Sequence, residues 1–373
     1  MTQTRHDEMS PGAATIVDVH TPSRAYEVHV GAGLLDDAGT LVRRAAGGEV
    51  AAVVSDSNVG PLYAQRVRAS LEAAGYRTAY LEFDAGEQNK RFFTLVPLLE
   101  GLAEAELSRS DVVVALGGGV TGDMAGLAAA LYLRGIQVAQ IPTSLLAMVD
   151  SSVGGKTAVD LEAGKNLAGA FFQPSVVIAD VGCLRTLSPE LLADSCGEVI
   201  KHGVLADPEL FDALERRPLT SMDVEDPAFA QVVARNVAIK RDVVNADERE
   251  QGVRQTLNLG HTLGHAIEAA SDYALGHGSS VAAGLCCVTR ATEHLGWTEP
   301  GTAARIERVC AAHGLPTNTD LAHDTILRYA THDKKRHGQT VNLVVPSAIG
   351  SVCVRKVGLD ELATIVRLGC GAR

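Results

Sequence analysis

Along the first half of the chain, short unbroken apolar runs alternate with longer stretches in which Ala, Leu and Val recur at helical spacing. "VAAVVSDS" (50–57), "TAYLEFD" (78–84), "DVVVALGGG" (111–119), "IQVAQIPTS" (136–144) and "SVVIAD" (175–180) end in small or turn-forming residues. Such runs fit strands buried on both faces, as in parallel sheets. Helical patterns lie between them, for example at 60–74 and 122–133. The alternation predicts a doubly wound, mostly parallel α/β domain over 16–182, whose ligands bind beyond the carboxyl ends of its strands. From about Cys183 the pattern changes to long helical segments, opened by "TLSPELLADSCGEVIKHG". There Ser188 can cap a helix and Pro189 suits its first turn. Residues 183–373 are expected to be mainly α-helical, and the polar stretch 1–15 a disordered tail.

Length agrees with this division, since 373 residues exceed what one hydrophobic core usually fills. No apolar run approaches the roughly 20 residues of a bilayer span. The nearest, "MAGLAAALYL", is closed off by Asp123 and Arg134. The first fifteen residues lack the apolar centre of a secretory signal, so the expected compartment is the cytoplasm. Seven cysteines without Cys-x-x-Cys spacing, mostly beside apolar neighbours, read as reduced core thiols. With 33 Lys and Arg against 45 Asp and Glu, the net charge of −12 repels a polyanion, and nucleic acid is not an expected partner.

Three constellations carry chemistry. "MVDSSVGGKTAVD" ends its glycine turn in Gly-Lys-Thr, but a triphosphate loop needs a glycine five residues before the Gly-Lys pair, and Asp150 stands there. Lys156 is therefore not a nucleotide-loop lysine. "VVVALGGGVTGDMAG" places Gly117, Gly119 and Gly122 in a G-x-G-x-x-G pattern after a strand, yet the next strand ends in Pro142, Thr143 and Ser144 without the acid that holds a ribose. Asp56 and Asn58, and Gly86, Glu87 and Lys90 of "GEQNK", are the alternatives, although each alone reads as an ordinary strand-ending turn. In "LNLGHTLGHAIEAASDYALGHG", His261 and His265 share one helix face and His277 follows after a loop. With Glu198, one turn from Lys201, this is divalent-metal ligand usage, and the imidazoles favour zinc.

Together with "SDSN", "GGGVTGD", "RGIQVAQIPTSLLAMVDSSVGGKT", "GKNLAGAFFQP", "GEVIKHG" and "DKKR", these stretches resemble the 3-dehydroquinate synthases of the sugar phosphate cyclase superfamily over about residues 50–350. The resemblance implies zinc, or cobalt, on Glu198, His261 and His277. It implies NAD contacts at Asp56, Asn58, Glu87, Lys90, Gly118, Gly119, Asp123, Thr143, Ser144, Lys165 and Thr186. Implied substrate contacts are Arg134, Asp150, Lys156, Asn166, Lys201, Lys240, Arg254, Asn258, His265 and Lys335. Lys156 and Arg134 would then hold a substrate phosphate. The implied reaction converts 3-deoxy-arabino-heptulosonate 7-phosphate to 3-dehydroquinate and phosphate in the shikimate route to aromatic amino acids. The implied partner is a phosphorylated sugar acid, with neither nucleic acid nor membrane, and a homodimer is left open.

Ser144 stands where the family commonly has threonine, Ser279 and Ser280 follow His277 where glutamate is frequent, and "DLEAGKN" replaces an Asn-His-Pro loop. Relatives that make inosose or valiolone rings alter the "VDSSVGGKT" segment, so its form here favours dehydroquinate or its amino analogue. Metal-dependent polyol dehydrogenases share the glycine turn and histidines but act on uncharged polyols, and would have little use for Lys156, Lys201, Lys240 and Arg254. A non-catalytic relative would have no reason to keep the charged groups.

Overall fold

A computed structural model describes residues 14–272, 274–332 and 340–371. Contacts divide them into two units: residues up to Thr186 together with Val224–Arg249, and Leu187–Asp223 together with Glu250 onward.

In the first unit the chain runs through β1 (Thr15–His20), β2 (Ala25–Gly31), α1 (Ala38–Ala46), β3 (Val50–Asp56), α2 (Gly60–Ala73), β4 (Arg77–Phe83), α3 (Phe92–Glu104), β5 (Val112–Gly117), α4 (Gly119–Leu131), β6 (Gln137–Pro142), β7 (Lys156–Leu161), β8 (Gly164–Phe171) and β9 (Val176–Asp180). Seven of these strands form one sheet in the order β1-β2-β9-β6-β5-β3-β4. The β1–β2 pair is antiparallel and the others are parallel. Every residue of β3, β5 and β9 is buried, as continuous β-branched and Ala-rich runs require. Val54, Val113 and Val138 of the sheet pack with Leu95, Leu98 and Leu102 of α3 and with Met124 and Ala128 of α4. Strands β7 and β8 form a separate antiparallel hairpin.

The chain then enters the second unit through α5 (Pro189–Ala206) and α6 (Pro208–Arg216), and returns to the first as α7 (Pro227–Ala246). There the Asn245 side chain accepts the His20 amide at 2.8 Å. The second unit is completed by α8 (His261–Ala270), α9 (His277–His294), α10 (Thr302–Ala312), α11 (His323–His332), β10 (Thr340–Ala348), β11 (Ser351–Gly358) and α12 (Leu359–Gly369). Leu263, Val288, Ile326, Leu343, Val345, Val357 and Ile365 form its core. Ser188 accepts the Leu191 amide at 3.3 Å and Pro189 follows it, which fixes the start of α5.

Four expectations change. The tail ends before Thr15, which already pairs with Val30 in the β1–β2 ladder; residues 1–13 lie outside the described residues. The boundary placed at Cys183 falls at Thr186, because Cys183 belongs to the 3-10 turn Val181–Thr186 and its carbonyl accepts the Tyr63 hydroxyl of α2 at 3.0 Å. Segment 224–249 joins the first unit because the apolar face of α7 packs on β1 and β2. Finally, the mainly helical half also contains the β10–β11 hairpin, whose Val341, Leu343 and Val345 alternate into the core.

Candidate active site

In the first unit, residues singled out from the sequence lie where parallel strands end. Asp56 closes β3; its Oδ1 accepts the amides of Asn58 (3.0 Å) and Val59 (3.1 Å), and its Oδ2 accepts the Thr121 hydroxyl at 2.7 Å. One carboxylate thus ties the entry of α2 to the first turn of α4. Gly118 caps α4 in an extended conformation, and the Thr143 amide after β6 donates to the Gly117 carbonyl at 2.9 Å. Ser144 Oγ accepts the Ala147 amide at 3.3 Å, and Thr186, beyond β9, has its hydroxyl 2.7 Å from that of Tyr63. From β3 the chain adds β4 on one side and then crosses to β5 on the other. Ligands of open α/β sheets bind at such a reversal, and the amino end of α4 offers N–H groups to an anion.

A second group surrounds Lys90, which is 4% exposed. Its ammonium lies 2.6 Å from Asp123 Oδ2, 2.6 Å from Asn166 Oδ1 and 4.0 Å from Glu87. Lys165 is 4.0 Å from the same Glu87. Burial alone would depress the Lys90 pKa, but Asp123, Glu87 and Asp160 hold it above the ordinary value. Burial also pushes Asp123 up to about 6 against the pull of Lys90. Lys90 and Asn166, assigned to different ligands from the sequence, are thus bonded to each other.

Lys240 of α7 lies 2.7 Å from Asp150 Oδ1 and also bonds the Asp150 carbonyl. Lys156 opens β7 and is exposed. Arg134 is also exposed, on a turn where Leu133, Arg134 and Gly135 all have left-handed backbone (φ 49°, 68° and 120°). Two successive non-glycine residues in that region cost of order 1–3 kcal/mol each, strain of the kind that collects at functional sites.

In the second unit, helices α5, α8 and α9 bring Glu198, His261, His265 and His277 together. Their approach depends on glycine contacts: a Cβ on Gly284 of α9 would lie 2.4 Å from the Gly260 carbonyl and 2.5 Å from the Gly264 amide of α8. Glu198 is fully buried. Its Oε1 lies 3.5 Å from Nε2 of both His261 and His277, and the Lys201 ammonium rests against Oε2. Lys201 also donates to the Leu257 carbonyl at 2.8 Å. Nitrogens of His261, His265 and His277 fall within 4.8 Å of one another, so His265, read from the sequence as a substrate contact, stands within the same cluster. Arg254 is buried in the short turn Val253–Asn258, and Asn258 donates to Glu250 at 3.1 Å. Lys335 lies outside the described residues.

This donor set fits a divalent cation. At 3.5 Å the imidazoles are too far from Glu198 for ordinary hydrogen bonds, so Oε1 has no aligned donor among the described residues while Oε2 is taken by Lys201. Ligand atoms about 2.0–2.2 Å from one tetrahedral zinc stand about 3.4 Å apart, close to the 3.5 Å that separates Glu198 Oε1 from each imidazole. Burial would raise the Glu198 pKa, but the Lys201 ammonium and the imidazoles hold it well below the usual carboxylate range. Burial, with Lys201 nearby, lowers His261 to about 3, so the ring is neutral. Its Nδ1 faces the Leu259 carbonyl at 3.1 Å, leaving the Nε2 lone pair toward Glu198. His277 is raised to about 10: burial opposes its charge, but the carboxylates of Glu198 and Glu268 beside it prevail.

Glu268 was not singled out from the sequence. Its Oε2 is 3.2 Å from His277 Nδ1, the carboxylate–histidine arrangement that orients metal ligands. Its position three residues after His265 on the same helix face was the available signal. Asp194 was also missed; it accepts the amides of Gly278 (3.2 Å) and Ser279 (2.8 Å), fixing the start of α9 beside His277.

A mostly parallel sheet and a mainly helical unit together define an α/β protein of the sugar phosphate cyclase fold. Among solved structures, 2-deoxy-scyllo-inosose synthase, complexed with carbaglucose-6-phosphate, NAD+ and Co2+, superposes with a TM-score of 0.83 at 23% identity, covering 95% of this chain and 100% of that one. The 2-epi-5-epi-valiolone synthase of Streptomyces hygroscopicus subsp. jinggangensis, with NAD+ and Zn2+ bound, gives 0.82 at 27% identity, covering 92% and 96%. Family models for the 3-dehydroquinate synthase N-terminal and C-terminal regions match residues 80–194 and 195–336. The 3-dehydroquinate synthase of Lactiplantibacillus plantarum is 42% identical over 94% of this chain and 97% of its own length. The chain belongs to the 3-dehydroquinate synthase family.

Proposed function

We propose that this protein converts 3-deoxy-arabino-heptulosonate 7-phosphate to 3-dehydroquinate and phosphate, as a carbon–oxygen lyase of the cytoplasm that uses NAD and a divalent metal, zinc or cobalt. The observation that carries the reading is the buried Glu198–His261–His277 cluster against Lys201, in a chain 42% identical to a synthase of that name.

The difficulty in this reaction is a weakly acidic C–H beside the carbon that loses phosphate. NAD, when bound, would supply reversible hydride acceptance at the neighbouring C5 hydroxyl. The metal, when bound, supplies Lewis acidity toward the substrate hydroxyls. Glu198, His261 and His277 would hold it, with Glu268 orienting His277. Asp56, Asn58, Gly118, Gly119, Thr143, Ser144 and Thr186 at the strand ends, with Glu87, Lys90, Asp123 and Lys165, would bind the dinucleotide. Lys156, Arg134 and Lys201 would hold the phosphate, whose own oxygen can accept the proton during elimination. His265, exposed on α8, would carry a proton to or from a substrate oxygen. Asp150, Asn166, Lys240, Arg254, Asn258 and Lys335 would position the remainder of the sugar acid.

The test is phosphate release from the heptulosonate phosphate by purified protein, with and without NAD and after chelation, with the carbocyclic product identified by mass. Release that needs both additions, together with dehydroquinate, supports the reading; an amino analogue accepted in preference to the heptulosonate would redirect it.

A further inference from the structure

Asp160 stands where the β7–β8 ladder slips. Val159 pairs with Ala168 and the next paired residue, Leu161, with Gly164, so Asp160 drops out of register. Its groups turn elsewhere. The Asp160 amide donates to the Lys90 carbonyl at 2.7 Å, and its Oδ1 accepts the Asn166 amide at 2.7 Å. Asn166 is left-handed (φ 56°), and its side-chain oxygen accepts from the Lys90 ammonium at 2.6 Å. Three residues thus close a ring of three hydrogen bonds: Asp160 to Lys90 through the backbone, Asn166 to Asp160 through amide and carboxylate, and Lys90 to Asn166 through the side chains. Asp160 is 7% exposed, so water competes little for these bonds.

We propose that Asp160 is a positioning residue that couples cofactor and substrate recognition, fixing Lys90 for the dinucleotide and Asn166 for the sugar acid through one carboxylate at the ladder slip. The proposal rests on the ligand roles given to Lys90 and Asn166 above. The strained Asn166 backbone explains why a carboxylate is placed there: without an acceptor for its amide, the residue has little reason to stay left-handed, and its side chain leaves Lys90. Lys90 then keeps Asp123 alone as a close partner and relaxes toward it.

The experiment compares Asp160→Ala and Asp160→Asn in the full-length, metal-loaded protein. Asp160→Ala should weaken NAD binding, measured by equilibrium titration without substrate, and raise the KM for the heptulosonate phosphate, each about tenfold, as expected for a lost hydrogen bond to a charged acceptor. The kcat should change less than about threefold. Asp160→Asn still offers an oxygen to the Asn166 amide and should return both quantities to within about threefold of the parent. Hydrogen exchange of residues 162–168 should quicken in the alanine chain and not in the asparagine chain. In an Asn166→Gly background, adding Asp160→Ala should move the KM less than about twofold, because the coupled partner is gone. Asp160→Ser, too short to reach the Asn166 amide, replaces the alanine variant if that chain does not fold. Unchanged NAD affinity and KM with a lowered Tm, or an asparagine variant no better than alanine, would overturn the proposal. If the parent releases no phosphate, the functional reading fails instead, and the NAD titration and exchange still decide the role of Asp160.

Discussion

Gly197 of α5 and Gly278 of α9 touch backbone to backbone: a Cβ on Gly197 would lie 2.1 Å from the Gly278 carbonyl oxygen. Each glycine adjoins a proposed metal ligand, Glu198 and His277. Gly197→Ala must therefore push the start of α9 away from α5, and overpacking of this kind costs about 1–3 kcal/mol. The expected outcome is a lower Tm together with less zinc retained per chain after dialysis; full metal content would show that Glu198 and His277 tolerate separation.

The proposed metal set gives a graded series. His261→Ala removes a proposed ligand and should leave little bound metal, while Glu268→Gln removes only the carboxylate behind His277 and should weaken metal binding about 10- to 100-fold. Metal content and competition with a chromogenic chelator measure both. Activity lost on chelation should return with zinc or cobalt.

Lys156→Ala should fold, bind NAD and keep its metal, yet lose roughly 30- to 1,000-fold in kcat/KM, as expected for a charge-assisted phosphate contact. A variant that instead weakened NAD would place the glycine turn at 154–155 with the cofactor.

If the hydride is returned within each turnover, as the proposed reaction requires, NAD should be needed only in catalytic amount. Absorbance scans during turnover should show phosphate and carbocycle accumulating without matching NADH. NADH in step with product would indicate a dehydrogenase.

Asp123 offers a test by pH. Burial raises its pKa to about 6, so the folded chain holds this proton more tightly than the unfolded chain, where the value is about 3.8. Its contribution to stability is therefore complete below the unfolded value and is lost as pH rises through about 6. The Tm of the parent relative to Asp123→Asn should fall between about pH 4 and pH 7. A difference constant across that range would mean that Asp123 titrates as an exposed carboxylate.

Strands β3, β5, β6 and β9 were legible because burial on both faces leaves unbroken apolar runs, and the half-buried edge strand β4 by its Tyr, Leu and Phe. The β7–β8 hairpin was not, although it carries Lys156, Lys165 and Asn166. Its exposed face mixes Lys, Asn, Leu and Phe, and four glycines punctuate "GGKTAVDLEAGKNLAGAF", so neither a run nor a clean alternation appears. The helical character of α7 was expected, but a helical pattern does not say which unit its apolar face covers. The histidines announced themselves by spacing, whereas Asp160 acts through backbone groups at a ladder slip, which depends on pairing register and leaves no residue pattern.

The return of α7 also sets an order of events during synthesis. A chain lengthening by about 5–20 residues each second completes β9 well before Asn245 exists to hold His20. In that interval α5 emerges with Glu198 and Lys201, ahead of both His261 and His277. The nascent protein therefore cannot finish its first unit and then begin its second; the two mature interleaved, and Glu198, with Lys201 one turn away, is synthesised before the helices that carry its histidine neighbours.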